Sequence, residues 1–250
     1  MQHNDYIRDI DNANTAVLLI HGILGTPNHF KDFVKVIPSN MAIHNICLDG
    51  HGGTVEEFSH SSMNKWRDNA EEEVRKLIKD YKNIIVVAHS MGTLFAIELS
   101  IKYPQNIKAL FLLACPIKIW LKPEAGINAI KVIFDNIDEN DEKLVATRDE
   151  YSIEHNMKLW KYTGWLPRYL ELFEESRKVR NIINEITVKT YVFLSLKDEL
   201  VSIDSYKYFT HNENIELKIL KNSMHCYYEK SEKEFLLHRL KQVCKEVDNI

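Results

Sequence analysis

Residues 86–92 constrain the fold most, because an apolar run ends there in Ser90, which has a small residue two positions away on each side. A strand that turns sharply into a helix needs small residues at such positions, since the two backbones crowd together. Residues 83–89 are apolar and β-rich, and residues 91–103 have helical periodicity. The sequence therefore predicts that Ser90 projects a strained, exposed hydroxyl above the end of a buried strand.

Glycine is scarce and clustered, which indicates where the backbone takes unusual conformations. Six of the eight glycines lie in three short loops: Gly22 and Gly25, then Gly50, Gly52 and Gly53, then Gly92. Each loop follows an apolar strand candidate, at 16–20, 44–48 and 84–87. Open α/β sheets place their sites in loops at the carboxyl ends of parallel strands, so these loops are the expected functional edge.

The remaining patterns alternate between strand and helix. Further strand candidates are 109–114, 191–196 and 215–220, and helical patterns cover 28–37, 64–81, 91–103, 202–209 and 232–247. This alternation predicts an α/β fold with a mostly parallel central sheet and helices on both faces.

One segment interrupts the alternation and is predicted to be a helical insertion. It covers residues 117–180, which divides the chain into a core of 1–116 and 181–250 and a cap of 117–180. The segment is rich in aromatic residues: Trp120, Phe134, Tyr151, Trp160, Tyr162, Trp165, Tyr169 and Phe173. Such an insertion after the carboxyl end of a strand can roof a pocket, although the aromatic residues could equally form a small core beneath it.

Composition excludes several classes of function. The chain has 250 residues, enough for one large domain, and its net charge of −4 comes from lysines and acids that are interspersed, so we expect no nucleic-acid partner. The longest apolar runs, 15–20 and 109–117, fall far short of the roughly 18 residues of a membrane span. With a polar, acidic start, the sequence predicts a cytoplasmic protein.

Neither a metal nor a cofactor is expected from the sequence. The four cysteines, Cys47, Cys115, Cys226 and Cys244, show no CxxC spacing, which favours reduced thiols over disulfides or a zinc site. Metal-assisted hydrolysis would need an HxxxH pair or a carboxylate cluster at ligand spacing, and the sequence has neither.

A serine nucleophile needs a histidine to take its proton and an acid to orient that histidine. Behind a strand-to-helix turn the expected order is serine, acid, histidine. Asp198 lies in the loop after the strand candidate 191–196, with Glu199 as its nearest competitor, and His225 follows the last strand candidate. We therefore predict Ser90, Asp198 and His225 as the catalytic residues.

Two backbone amides should complete the site by binding the negative charge that develops on a substrate oxygen. Met91, directly after the serine, begins a helix and supplies one of them. The other should come from the glycine loop at 21–25, with Ile23 the first choice and Leu24 the second. The neighbouring histidines His21, His51 and His89 are expected to be structural.

With these motifs in order, the chain resembles the α/β-hydrolase fold, and within it the bacterial carboxylesterase and monoacylglycerol lipase branch. Residues 21–27 resemble the HGFxGTP oxyanion loop, 49–52 the PGHG loop, 88–92 the GLSMG turn and 198–201 the DxxV acid loop. The resemblance implies a triad of Ser90, Asp198 and His225, amide donors Ile23 and Met91, and a compact helical cap over an apolar acyl tunnel. Ile23, Asp49, Ala88 and Met224 depart from the family pattern, which leaves the acyl preference open.

The favoured function is a serine hydrolase that cleaves small-molecule carboxylic esters of short to medium acyl chain, including monoacylglycerols. A thioesterase, a phenolic-ester hydrolase and a prolyl-type aminopeptidase remain alternatives within the fold. An aminopeptidase would need cap acids to bind an amine, and the cap contains Glu124, Asp135, Glu139, Glu154 and Glu171. A non-catalytic ligand-binding protein is a further alternative, and the chain could be a monomer or a homodimer.

Overall fold

The computed structural model describes residues 3–133, 136–154, 156 and 158–249. A seven-stranded sheet lies at its centre, in the order β1-β3-β2-β4-β5-β6-β7. All neighbouring strands are parallel except β1 and β3, so the predicted mostly parallel α/β sheet is confirmed. The strands are β1 Tyr6–Arg8, β2 Thr15–Ile20, β3 Ala42–Ile46, β4 Asn83–His89, β5 Ile107–Leu113, β6 Lys189–Ser195 and β7 Ile215–Leu220.

Eight α-helices surround the sheet in the described part of the chain: α1 Lys31–Val36, α2 Val55–His60, α3 Met63–Asp80, α4 Met91–Lys102, α5 Pro123–Ile133, α6 Glu142–Glu150, α7 Trp165–Ile182 and α8 Lys230–Asp248. Two predicted helices differ in type from the structure. The pattern at 28–37 divides into a 3-10 helix, Pro27–Phe30, followed by α1, and the pattern at 202–209 is a 3-10 helix, Ile203–Tyr208.

Local sequence explains where α2 and α3, the two helices after the second glycine loop, begin. Thr54 and Glu57 form a capping box at the start of α2, which offsets the short length of that helix. The hydroxyl of Ser62 accepts a hydrogen bond from the Lys65 amide and caps α3. One face of α3 is buried through residues spaced three or four apart, namely Met63, Trp66, Ala70, Val74 and Leu77.

The sheet separates the core into two apolar clusters. Leu18 and Val86 belong to the cluster beneath α3, α4 and α7, whereas Val17 and Ile85 belong to the cluster beneath α1 and α8. Helices thus cover both faces of the central strands, and every residue of β2 and of β4 is buried. This burial explains why these strands appear in the sequence as continuous apolar runs.

The segment between β5 and β6 holds α5, α6 and α7, and part of it packs onto the main core. Ile153, Trp165 and Val179 belong to the same apolar cluster as the strands. The aromatic residues of this segment differ in exposure, since Trp165 is buried whereas Trp120 and Trp160 are 61% and 67% exposed. Tyr151, Tyr162 and Tyr169 pack partly buried against the core, Phe173 is 39% exposed, and Phe134 lies outside the described residues.

The described helices include none that combines the length and apolar character needed to cross a membrane.

Gly92 is the residue of α4 that lies closest to the end of β2. A Cβ there would lie 2.7 Å from the His21 carbonyl oxygen and closer still to that of Ile20, and neither backbone can move aside. We expect Gly92→Ala to lower the free energy of unfolding by about 3 kcal/mol, measured by urea denaturation.

Gly126→Ala is the matched control, because nothing lies within 4 Å of a Cβ at this position of α5. There alanine should raise the free energy of unfolding by roughly 0.5–1 kcal/mol through helix propensity. Equal effects of the two substitutions would contradict the close contact between α4 and β2.

Candidate active site

Ser90 occupies the sharp turn between β4 and α4 in a strained backbone conformation. Its φ of 49° and ψ of −125° lie in a region that non-glycine residues rarely adopt. The Ser90 amide donates to the Leu113 carbonyl at 2.9 Å, and the Thr93 amide donates to the Ser90 carbonyl at 2.9 Å. A Cβ at Gly22 would lie 2.8 Å from the Cβ of Ser90, so the first glycine loop presses directly against this turn.

The structure brings Ser90, His225 and Asp198 together although they lie far apart in the chain. His225 Nε2 lies 3.0 Å from Ser90 Oγ, and His225 Nδ1 lies 2.9 Å and 3.1 Å from the two carboxylate oxygens of Asp198. All three residues are buried, with relative exposures of 6% for Ser90 and 4% for the other two. The three side chains form one continuous line of hydrogen bonds.

Asp198 is oriented by its own loop. The amides of Leu200 and Val201 both donate to its Oδ1 at 2.8 Å. Glu199, the competing acid, accepts a hydrogen bond from the backbone amide of His225 at 3.2 Å instead of contacting the imidazole ring. The two adjacent acids therefore hold different parts of the same histidine.

The insertion helps to build this acid loop. The amide of Trp120 donates to the Leu200 carbonyl, and the amide of Lys122 donates to the Glu199 carbonyl, each at 2.9 Å. An isolated antiparallel bridge pairs Ile119 with Val201. The first residues of the insertion thus hold the loop that carries Asp198.

Burial and charge act in opposite directions on the titration of His225. Burial alone would lower the pKa of its imidazole, but the charge and hydrogen bond of Asp198 outweigh it and raise this pKa to about 9. Burial raises the pKa of Glu199. The imidazolium form of His225 is therefore stabilised by the carboxylate beside it.

His21 fixes the conformation of the first glycine loop. Its Nε2 accepts the Leu48 amide at 3.0 Å, so its Nδ1 carries the proton and donates to the Gly22 carbonyl at 2.8 Å. The Gly25 amide donates to the same carbonyl at 3.0 Å. Because the peptide is trans, the amide of Ile23 points away from these donors.

The other candidate amide, that of Met91, lies at the first position of α4, where N–H groups have no partner within the helix. Leu24, the second choice in the oxyanion loop, has a positive φ of 57°. Its carbonyl accepts hydrogen bonds from the amide and hydroxyl of Ser152 in the insertion. The insertion therefore contacts the oxyanion loop as well as the acid loop.

Sequence reasoning missed a group of side chains behind His225. His89 Nε2 donates to the His225 carbonyl at 3.0 Å, and its ring stacks on that of His29 with centroids 3.9 Å apart. Glu150, from the end of α6, contacts His29. These three residues could together hold a metal ion. Their positions in the sequence give no signal, because the insertion brings Glu150 to the two histidines only in the folded chain.

The α/β-hydrolase class is defined by a mostly parallel sheet in which a serine with positive φ follows a central strand. An acid and a histidine then lie on loops after later strands, as they do here. Residues 11–232 match the model of the Hydrolase_4 family, described as serine aminopeptidase, S33. The chain belongs to this family of serine hydrolases.

Sequence relatives match part of the chain. It is 30% identical over 116 residues to a probable lysophospholipase, BODYGUARD 2, of Arabidopsis thaliana, a match that covers 44% of the chain and 24% of that protein. It is 28% identical over 97 residues to a thermostable monoacylglycerol lipase of Bacillus sp. (strain H-257), covering 38% of each. The matches therefore span well under two thirds of the relatives' length.

Solved structures share the fold over almost the whole chain. A structure from work on the metagenome-derived lipolytic enzymes LipS and LipT has a TM-score of 0.76 at 16% identity and covers 98% of both chains. The monoacylglycerol lipase of Paleococcus ferrophilus has a TM-score of 0.70 at 13% identity, covering 97% of this chain and 99% of that one.

His21 should contribute strongly to stability. We expect His21→Ala to lower the free energy of unfolding by about 2–4 kcal/mol, since it leaves a buried cavity, removes the partner of the Leu48 amide and removes one of the two donors to the Gly22 carbonyl. Urea denaturation measures the change. The control His211→Ala, at an exposed position, should lie within about 0.5 kcal/mol of the wild type. A similarly small loss for His21→Ala would contradict the anchoring role.

Proposed function

We propose that this chain is a serine esterase that hydrolyses carboxylic esters of short to medium acyl chain through an acyl-enzyme on Ser90. The observation that carries the proposal is the line of hydrogen bonds from Ser90 through His225 to Asp198, with 3.0 Å and 2.9 Å between the bonded atoms. In this proposal His225 is the general base, Asp198 orients it, and the amides of Ile23 and Met91 bind the oxyanion.

Each step follows from this geometry. Ser90 Oγ attacks the ester carbonyl carbon while its proton passes to His225 Nε2, and the carbonyl oxygen takes up negative charge opposite the two amides. Collapse of the tetrahedral intermediate breaks the bond to the alcohol, which leaves with the proton from His225. Water then gives its proton to His225 and attacks the acyl carbon. Release of the acid returns the proton to Ser90 Oγ.

The names of relatives support an ester of an acyl chain. Lysophospholipases and monoacylglycerol lipases cleave single acyl chains from glycerol-based esters, and proteins with these names match parts of the chain. The loop beside Ser90 is also compatible with an acyl chain, since its residues Ile23 and Leu24 are apolar and pack against the core. We infer that residues 117–180 act as a cap over Ser90 and that monoacylglycerols are candidate substrates. A cytoplasmic location remains a prediction.

The described insertion acids give little support to an aminopeptidase. Glu139 pairs with Arg148, and Glu171 pairs with Arg168 and also accepts the Met63 amide. Glu154 is exposed. Asp135 and the side chain of Glu124 lie outside the described residues. Thioesters and phenolic esters remain alternative substrates, because the same three side chains serve each of them.

We expect hydrolysis across a p-nitrophenyl ester series from acetyl to palmitoyl, with a maximum at one acyl length. Ser90→Ala should lower kcat by about 10⁴-fold or more, because the nucleophile is lost while the fold is retained. Initial rates followed by nitrophenolate absorbance test this. The exposed control Ser231→Ala should retain the wild-type rates.

Two outcomes would contradict the proposal. Unchanged turnover in Ser90→Ala would exclude Ser90 as the nucleophile. Release of p-nitroaniline from prolyl-p-nitroanilide, with every ester inert, would favour the aminopeptidase alternative.

The pH profile should report the interaction between His225 and Asp198. Protonated His225 cannot accept the proton of Ser90, so kcat/KM should rise with pH, with a midpoint shifted from 6.5 towards the raised pKa of about 9. Asp198→Asn removes the charge that raises this pKa, so its midpoint should move to lower pH while the maximal rate falls about 10⁴-fold. An unchanged midpoint in Asp198→Asn would contradict the assignment of Asp198.

A further inference from the structure

Three potential metal ligands meet close to His225, and one of them, His89, is hydrogen-bonded to the His225 carbonyl. His29 lies in the 3-10 helix after the oxyanion loop, His89 ends β4, and Glu150 ends α6. One ligand atom from each lies within 4.8 Å of the others. This cluster, which we call the His-His-Glu cluster, joins three segments that are distant in the sequence.

The nitrogen of His29 that faces Glu150 has no satisfied hydrogen bond. Nδ1 lies 2.7 Å from a carboxylate oxygen of Glu150, yet this buried nitrogen forms no hydrogen bond with any of the described residues. His29 is 92% buried, with a relative exposure of 8%. A buried nitrogen without a hydrogen bond is costly in a protein interior, and a bound ligand would satisfy it.

His89 is already oriented in the way that metal-binding histidines are. Its Nε2 donates to the His225 carbonyl, which leaves Nδ1 with a lone pair. A metal-binding histidine commonly donates its second ring N–H to a carbonyl or carboxylate, and this bond fixes the tautomer and the ring.

We propose that the His-His-Glu cluster is a binding site for a divalent transition-metal cation of the Zn²⁺ type. Two imidazoles and one carboxylate are a donor set that such cations prefer, and water can complete a tetrahedron. Bonds of about 2.0–2.1 Å place tetrahedral ligand atoms roughly 3.4 Å apart, whereas these atoms lie within 4.8 Å of one another and His29 Nδ1 lies 2.7 Å from Glu150, so shifts of about 1 Å are needed. Rotation of the stacked rings and of the Glu150 side chain supplies this movement.

The surroundings suit such a cation. The side chain of Glu150 is 14% exposed and so offers an entry path. The Cys226 thiol donates a hydrogen bond to the Glu150 carboxylate.

A cation here would tie the insertion to the catalytic edge of the sheet, because Glu150 belongs to the insertion whereas His29 and His89 belong to the sheet-side segments. This role does not depend on which substrate the enzyme cleaves or on whether it cleaves esters. Its test can therefore use binding and stability, with no measurement of activity.

Calorimetric titration of Zn²⁺ into the metal-stripped full chain, without an affinity tag, tests the site. We expect one equivalent to bind with a Kd of about 10 µM or tighter, and the Tm to rise with Zn²⁺. His29→Gln and Glu150→Gln should each weaken binding by about 100-fold or more, because each removes a direct ligand. The controls His238→Gln and Glu139→Gln, both at exposed positions, should bind as the wild type does.

The visible spectrum of bound Co²⁺ gives a second measurement that needs no variant. Intense d–d absorption at one equivalent indicates the four-coordinate site we propose. The proposal is overturned if the wild type binds no Zn²⁺ up to about 1 mM, if Glu150→Gln and His29→Gln bind as tightly as the wild type, or if Co²⁺ shows only its aqueous spectrum. Far-UV circular dichroism confirms that each compared variant is folded.

Discussion

The contact between backbones at the end of β4 is the constraint on which the rest of the structure depends. Gly92 lets α4 approach the carbonyls at the end of β2, and Gly22 lets the oxyanion loop touch Ser90. Any larger side chain at either position would push Ser90 and its helix away from the backbone of β2 and of the loop at 21–25. The strained φ of Ser90 is maintained because β4 before it is fully buried and the first seven residues of α4 after it are buried, which fixes both ends of the turn.

From this contact the site is assembled by loops at one edge of the sheet and by the insertion that crosses that edge. β4 supplies Ser90, the loop after β6 supplies Asp198, and the loop after β7 supplies His225. The insertion contributes hydrogen bonds to the acid loop and to Leu24. Hydrogen bonds therefore join the insertion to the edge of the sheet that carries Ser90, so the position of each loop depends on its neighbours.

Much of this arrangement could be predicted from the sequence, because the strands, helices and tight turns of this fold each produce a short-range residue pattern. Buried parallel strands give apolar runs, and the glycine loops mark their ends. β1 was not predicted, since it has three largely exposed residues and pairs at the sheet edge. α2 was missed because it has only six residues, although its capping box at Thr54 and Glu57 was a usable signal. The pairing of the insertion with the acid loop, and the meeting of His29 with Glu150, depend on long-range packing that has no local pattern.

The pairing between residues 118–122 and 199–202 also has a consequence for engineering. Exchange of the whole insertion from residue 117 onwards would remove the strand-like segment that holds the Asp198 loop, even if the new segment had the same length and helices. A graft that begins at Pro123, the first residue of α5, leaves that pairing in the recipient. The boundary between scaffold and interchangeable segment therefore lies inside the insertion, a few residues beyond the point where the alternation of strand and helix breaks.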